Sequence, residues 1–331
     1  MDLCGSGLKP EHSTLSRLAM RVFIVVAVLS ATDSNSAEKY PARTIRIVTS
    51  EPGGGADFVA RLIAEGITRP LGQSVIVENR PSGVIPGEIV SKAEPDGHTL
   101  LMAASVFVLG PLLQKTPYDP VKNFAPVTLA MSSPSILVLH PALAARSVRE
   151  LIELARARPG ELNYASSGLG SSNHLAAELF KSMTGVEIVR VPYKGSGPAL
   201  INVVAGEVHV MFANPPAAAP HVRSGKLAAV AVTSRNPSPL APGLPTVSAS
   251  LPGYESVTIF AVFAPVRTPE RIVEVLNREM VQVLKRSDVT ERIFTAGAES
   301  VGSSPQELAA AVTSEIARMS KVIRGAGIRP Y

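Results

Sequence analysis

The apolar positions along this chain fall in short blocks whose period alternates between two and about 3.6 residues, the mark of strands and helices in succession. Residues 44–49 (TIRIVT) alternate and are rich in β-branched side chains, which predicts a strand. Residues 51–57 (EPGGGAD) form a glycine turn, and the apolar spacing over 58–67 is helical. The pattern then repeats. Residues 74–78 (SVIVE) predict a strand, 79–86 a turn and 87–93 a short helix, after which Pro95, Asp96 and Gly97 turn the chain into an apolar strand over 98–103. Such alternation predicts a mostly parallel sheet with helices on both faces.

Over 124–140 two apolar stretches, APVTLAM and SILVLH, are divided by Ser132, Ser133 and Pro134 with no helix between them. Such a break from simple winding is expected where a chain passes between lobes. A second series follows. Ser147 caps a helix reaching Arg158, with Glu150 at the capping-box position, and Pro159 and Gly160 end it. Strands predicted over 162–166, 187–191, 208–212 and 227–233 alternate with helices over 172–183, 198–204 and 217–224. Residues 237–252, rich in Pro, Ser and Gly, read as an irregular connection. A strand over 257–264, a long amphipathic helix opened by Pro269 and running through Lys285, and a final helix over 305–323 complete the chain. The expected fold is α/β with two lobes and mixed, mostly parallel sheets. Residues 38–140 begin lobe 1, 141–258 form lobe 2, and 259–331 return with C-terminal helices mainly to lobe 1, leaving a cleft between the lobes.

The length of 331 residues suits two such lobes, and 46% hydrophobic against 18% charged residues supports large cores. The net charge of +5 is spread over scattered Lys and Arg, with no dense basic run interleaved with aromatics. No nucleic-acid partner is therefore expected, and the excess charge favours encounter with anionic solutes. Lys9, Arg17 and Arg21 precede the apolar run 22–29 (VFIVVAVL), and small or polar residues follow from Ser30 to Ala37. This is the pattern of a secretory leader over residues 1–37, cleaved near Ser36 or Ala37. The apolar run falls far short of the ~20 residues a membrane span requires. Cleavage would remove Cys4, the only cysteine, so the mature chain is expected to have no disulfide, thiol nucleophile or thiolate metal site.

Three junctions place small residues between a strand and a helix start: Gly53, Gly54 and Gly55; residues 166–172 (SSGLGSS); and residues 194–197 (KGSG) ahead of Pro198. A helix start offers unpaired N–H groups and partial positive charge, and glycine lets a ligand approach the backbone. Each junction alone is also ordinary turn geometry. Three in two successive series, with strand ends facing one crevice, point to an anion site. Asp57 could cap its helix or meet a ligand donor, Lys194 could favour an anion or be solvated, and Tyr193 could line the cleft or pack. Gly168 and Gly170 have dinucleotide spacing, but Asn173 stands where a third glycine belongs, and KGSGPA lacks the end of a phosphate-binding loop. No cofactor is expected. Ser171, Ser172 and His174 lie close together without a G-x-S-x-G elbow, and no H-x-x-x-H spacing occurs among the six histidines. Neither an enzyme nor a metal site is indicated.

Across nearly the whole mature chain the sequence resembles the Bug-type solute receptors of tripartite tricarboxylate transporters. The resemblance is carried by YPARTIRIV at Tyr40, EPGGGAD at Glu51, LGQSVIVENRP at Leu71, PDGHTLL at Pro95 and PYDPVKNFAPV at Pro117. It continues with LNYASSGLGSSNHLAAELF at Leu162, VPYKGSGPAL at Val191, GKLAAVAVTS at Gly225, PTV at Pro245 and LPGY at Leu251. It implies a periplasmic two-lobe, Venus-flytrap receptor of the type II kind that closes on a small organic acid and delivers it to membrane permease subunits. The ligand would be a di- or tricarboxylate, an amino acid or an aromatic acid, held more by backbone N–H groups and small hydroxyls than by arginine. By motif, Gly53, Gly54, Gly55 and Asp57 belong to the first-lobe loop, Ser166, Ser167, Gly168, Gly170 and Ser171 to the second-lobe loop, and Tyr193, Lys194 and Gly195 to the facing loop. Gly83 and Ser105 complete the expected site.

Four departures bear on the ligand. Thr49, Ser50 and Glu51 replace the family's usual Pro-Phe strand end, and the stretch Ser82 to Gly87 is shorter than its counterpart. VFVLG after Ser105 makes that wall more apolar, and His209, Ala213 and Ile259 stand where Asp, Asp and Trp are common. The expected function is extracytoplasmic capture of a carboxylate by a monomer. The competing readings are an exported sensing module feeding a membrane signalling partner and a serine-type hydrolase built on Ser171 and His174.

Overall fold

The first strand, β1 (Ile45–Thr49), carries four buried residues among five, because it lies inside a sheet covered on both faces. The computed structural model describes residues 40–81 and 83–328, so the expected leader and Ser82 lie outside the described residues. Arg43–Tyr331 form one compact unit that contains both sheets; in the other unit, Met1–Ala42, residues 40–42 carry no helix or strand.

After β1 come α1 (Gly55–Leu71), β2 (Val75–Asn79), α2 (Ile85–Ser91), β3 (Thr99–Ala104), α3 (Ser105–Leu113) and the long β4 (Phe124–Pro134). The second series is β5 (Ile136–Leu139), α4 (Val148–Ala157), β6 (Asn163–Ser166), α5 (Ser172–Thr184), β7 (Val189–Pro192), α6 (Ser196–Val204), β8 (Val210–Ala213), α7 (Pro215–Arg223) and β9 (Ala228–Val232). The chain returns through β10 (Val257–Pro265), α8 (Glu270–Leu284), α9 (Ser287–Thr295), β11 (Glu299–Ser300) and α10 (Pro305–Gly325). One sheet has the order β11-β4-β10-β3-β1-β2 and the other β7-β6-β8-β5-β9.

Both sheets are mixed, but the expectation of mostly parallel pairing needs correction. Of nine strand pairings among the described residues, four are parallel and five antiparallel. Strands joined by a helical crossover run parallel, as such crossovers require. β5 and β10 instead arrive from the other lobe and enter their sheets in the opposite direction. Ser132, Ser133 and Pro134, read as a break, continue β4 opposite Ile259, Thr258 and Val257. The crossing is the single residue Ser135, whose N–H donates to Thr233 Oγ1 (2.7 Å), while Thr233 N–H donates back to the Ser135 carbonyl (2.9 Å). Ile136–Leu139, expected before a division at residue 140, therefore pair in the second sheet, and Val257 and Thr258 pair in the first.

Two helices were not anticipated. The segment SVFVLGPLL is apolar on all sides and contains Gly110 and Pro111, both helix-weakening, yet forms α3. Pro111 has no N–H for the Phe107 carbonyl four residues earlier; the Tyr118 hydroxyl donates to that oxygen instead (3.3 Å), while the two rings stack at 4.8 Å. The second is the short amphipathic α9. At the C-terminus, Ser304 and Glu307 form a capping box for α10. That helix was expected chiefly on lobe 1; it packs on β4 and α3, and also on α5 of the second lobe.

Helices α1 and α8 pack where Gly66 leaves room for Val283: a Cβ at Gly66 would lie 2.5 Å from both Val283 methyl groups. Gly66→Val is expected to destabilise the fold by about 1–3 kcal/mol through overpacking, with partial recovery on adding Val283→Ala. Thermal unfolding followed by circular dichroism checks both.

Candidate functional site

The turn after β1 is held from within. Gly53 takes a left-handed φ of 79°, and its N–H donates to Asp57 Oδ2 (2.9 Å). The other oxygen, Oδ1, accepts from Asn79 Nδ2 (2.9 Å) and pairs with Arg61 (2.9 Å), and the same Asn79 amide also holds the Ser50 carbonyl (2.7 Å). Burial works to raise the Asp57 pKa, but the bonds from Arg61, Gly53 and Asn79 prevail and set it below the usual carboxylate value. Asp57 is thus buried and spent on the loop's shape. Gly54 starts α1 without a side-chain cap, and a Cβ on Gly55 would come within 2.8 Å of the Phe260 ring. Glu51 is exposed on this turn.

At the neighbouring strand end, α3 begins at Ser105 directly after β3, again with no side-chain cap. Ser105 Oγ accepts the Ile259 N–H (2.9 Å), which leaves the hydroxyl's own proton available to a ligand. Gly83 packs toward Val106, to which its Cβ would lie at 3.2 Å.

On the second lobe, Asn173 organises the loop before α5. Its Oδ1 accepts from Ser171 Oγ (2.6 Å), Ser167 Oγ (3.1 Å) and Ser167 N–H (3.1 Å), and its Nδ2 donates to Ser196 Oγ at the start of α6 (3.3 Å). The sequence showed Asn173 only as a missing third glycine. Arg190 braces the loop from β7, donating to Ser166 Oγ (2.7 Å) and the Ser167 carbonyl (3.2 Å), and Ser166 is fully buried. Tyr193 N–H donates to the Ser166 carbonyl (2.8 Å), Lys194 is exposed, and Gly195 precedes α6. His174 Nδ1 accepts the Gly170 N–H (3.0 Å); burial, reinforced by the positive charge of Arg190, lowers its pKa to about 4. The hydroxyl of Ser171 goes to Asn173 and the imidazole to Gly170, so the pair a serine hydrolase would need is not formed.

A cavity of about 290 Å³ opens between the starts of α3 and α5. Of the expected site residues it brings together Ser105, Gly170 and Ser171, with Ser172, Ser256 and Thr258 adding polar groups. Gly170 (φ 73°) leaves space that Leu113 of the first lobe fills, since a Cβ there would meet Leu113 Cδ1 at 2.7 Å. Gly53, Gly54 and Gly55 line a separate cavity of about 400 Å³ with Phe260, Ser133 and Asn214. Both cavities meet the start of β10, the first at Val257 and Thr258 and the second at Phe260. Gly83, Ser167, Gly168, Tyr193, Lys194 and Gly195 line neither, and Asp57 and Ser166 are turned inward. Glu315 and Met319 of α10 also line the α3–α5 cavity, a contribution no local motif announces.

Residues 59–328 match the family model described as Tripartite tricarboxylate transporter family receptor. The chain belongs to this family. BugT of Bordetella pertussis is 36% identical over 322 residues, covering 95% of this chain and 99% of that protein. R. palustris Rpa4515 with adipate shares 39% identity at a TM-score of 0.69, over 88% of this chain and 100% of that one. MatC from Rhodopseudomonas palustris with bound malate shares 33% identity at a TM-score of 0.66, over 86% and 100%. The receptor is a solute-binding protein of the two-lobe periplasmic type and not an enzyme.

Protonating His174 would break its bond with Gly170. In the folded receptor the ring stays neutral down to about pH 4, whereas an unfolded chain protonates it near 6.5. The stability it contributes is therefore complete above about pH 6.5 and lost as pH falls toward 4. An NMR titration should give His174 a midpoint near 4; a midpoint near 6.5 would contradict this environment.

Proposed function

We propose that this receptor captures a small carboxylate in the α3–α5 cavity between its lobes and passes it to membrane permease subunits. The observation carrying the reading is that two helices from opposite lobes, neither capped by a side chain, begin at one cavity, so their unpaired N–H groups and partial positive charge converge on it. Ser105 adds a hydroxyl donor. Binding of adipate by one relative and malate by another supports the same ligand chemistry here. In this reading residues 1–37 are a cleaved leader and the mature protein works in the periplasm as a monomer. Its lobes, divided at Ser135 and just ahead of Val257, close on the ligand.

Thermal stabilisation across a carboxylate panel tests the reading, because a ligand at a hundred times its Kd adds about 2.7 kcal/mol of apparent stability. Ser105→Ala should weaken the best ligand about tenfold, the cost of one hydrogen bond to a charged group. A protein stabilised by amines or neutral solutes but by no carboxylate would sink the assignment.

A further inference from the structure

The cavity between α3 and α5 has an uneven lining. Val106, Leu109 and Leu113 face it from the first lobe, Leu169 and Leu175 from the second, and Met319 from α10. Val106 and Leu169 are 53% and 43% exposed, so a ligand lying against them would remove apolar surface from water. Among the described residues no Lys or Arg lines the cavity, and its one ionisable side chain is Glu315. Arg318 pairs with Glu315 and with Glu255 (3.3 Å), and Arg235 also pairs with Glu255 (3.2 Å). Both guanidiniums line a neighbouring cavity of about 490 Å³ on the side of the lobe crossing, not this one.

We propose that the receptor's ligand is a monocarboxylate with an apolar body, its carboxylate at the helix starts and its hydrocarbon against Val106, Leu113, Leu169 and Met319. The inference rests on the carboxylate reading above and narrows it. One carboxylate is met by helix N–H groups and the Ser105 hydroxyl. A second would lie among leucines with no cation on the cavity wall to meet it and with Glu315 as that wall's one ionisable group, a costly burial of unpaired charge. Burial raises the Glu315 pKa against the pull of Arg318, yet in either protonation state the cavity offers a second carboxylate no positive partner. An apolar body gains instead by removing the exposed Val106 and Leu169 from water.

Hexanoate and adipate share one carbon chain and differ in a single terminal carboxylate, so titration calorimetry of the purified receptor with these two, citrate and acetate separates the terms. Hexanoate is expected to bind at least about tenfold more tightly than adipate, citrate or acetate. Glu315→Gln should raise adipate affinity relative to hexanoate severalfold, and Leu169→Ser, at an exposed position, should lower hexanoate affinity relative to acetate severalfold. Adipate or citrate binding as well as hexanoate overturns the single-carboxylate claim, and acetate binding as well overturns the apolar body, with the carboxylate reading intact in both cases. Binding of none of the four, while other carboxylates stabilise the protein, overturns this inference alone; stabilisation by no carboxylate overturns both.

Discussion

The antiparallel pairing of β4 with β10 is the constraint on which the rest of the receptor depends. These strands run side by side from Val257 opposite Pro134 to Pro265 opposite Phe124, and their ends at Pro134 and Val257 are where the chain leaves and re-enters the first lobe. The same stretch of β10 fixes both first-lobe turns: Ile259 N–H is held by Ser105, and the Phe260 ring lies where Gly55 has no side chain. Val257 and Thr258 then line the cavity itself. The segment that connects the lobes is thus also a wall of the site, so a change in lobe angle and a change in the site are mechanically linked.

On the proposed reading, affinity for an anion would not depend on a lysine or arginine, since none lines the cavity among the described residues. Three charged or amide side chains near the turns are spent on shape: Asp57 with Gly53, Asn79 and Arg61; Asn173 with Ser167, Ser171 and Ser196; Arg190 with Ser166 and Ser167. The polar groups at the cavity's helix starts are main-chain N–H and a few hydroxyls, set among apolar side chains and Glu315. Donors fixed by the backbone need little reordering when a ligand arrives, which is how modest groups can hold an anion well.

Local pattern revealed much of this. The β-branched runs and glycine turns marked the strands and the strand-to-helix junctions, and Gly170 and Ser171 came from that reading, whereas Ser105 came from the family resemblance. Strand direction did not, because whether β5 and β10 run parallel depends on the lobe they arrive from. Helix α3 was hidden by Gly110 and Pro111, whose cost is offset by Tyr118, a residue outside the helix. Glu315 and Met319 were invisible for the same reason: they reach the cavity only because α10 packs across β4, α3 and α5. Ser166 and Asp57, chosen as small or polar groups beside glycine, proved to be internal supports, a distinction that burial makes and sequence cannot.

The central claim, that the two helix starts converge on one ligand, is tested most directly by amide NMR shifts on adding whichever carboxylate stabilises the receptor most. The account predicts large shifts at Ser105 and Val106 in the first lobe together with Ser172 and Asn173 in the second. Shifts confined to one lobe, or centred on Gly53 to Gly55 with the starts of α3 and α5 unmoved, would contradict it.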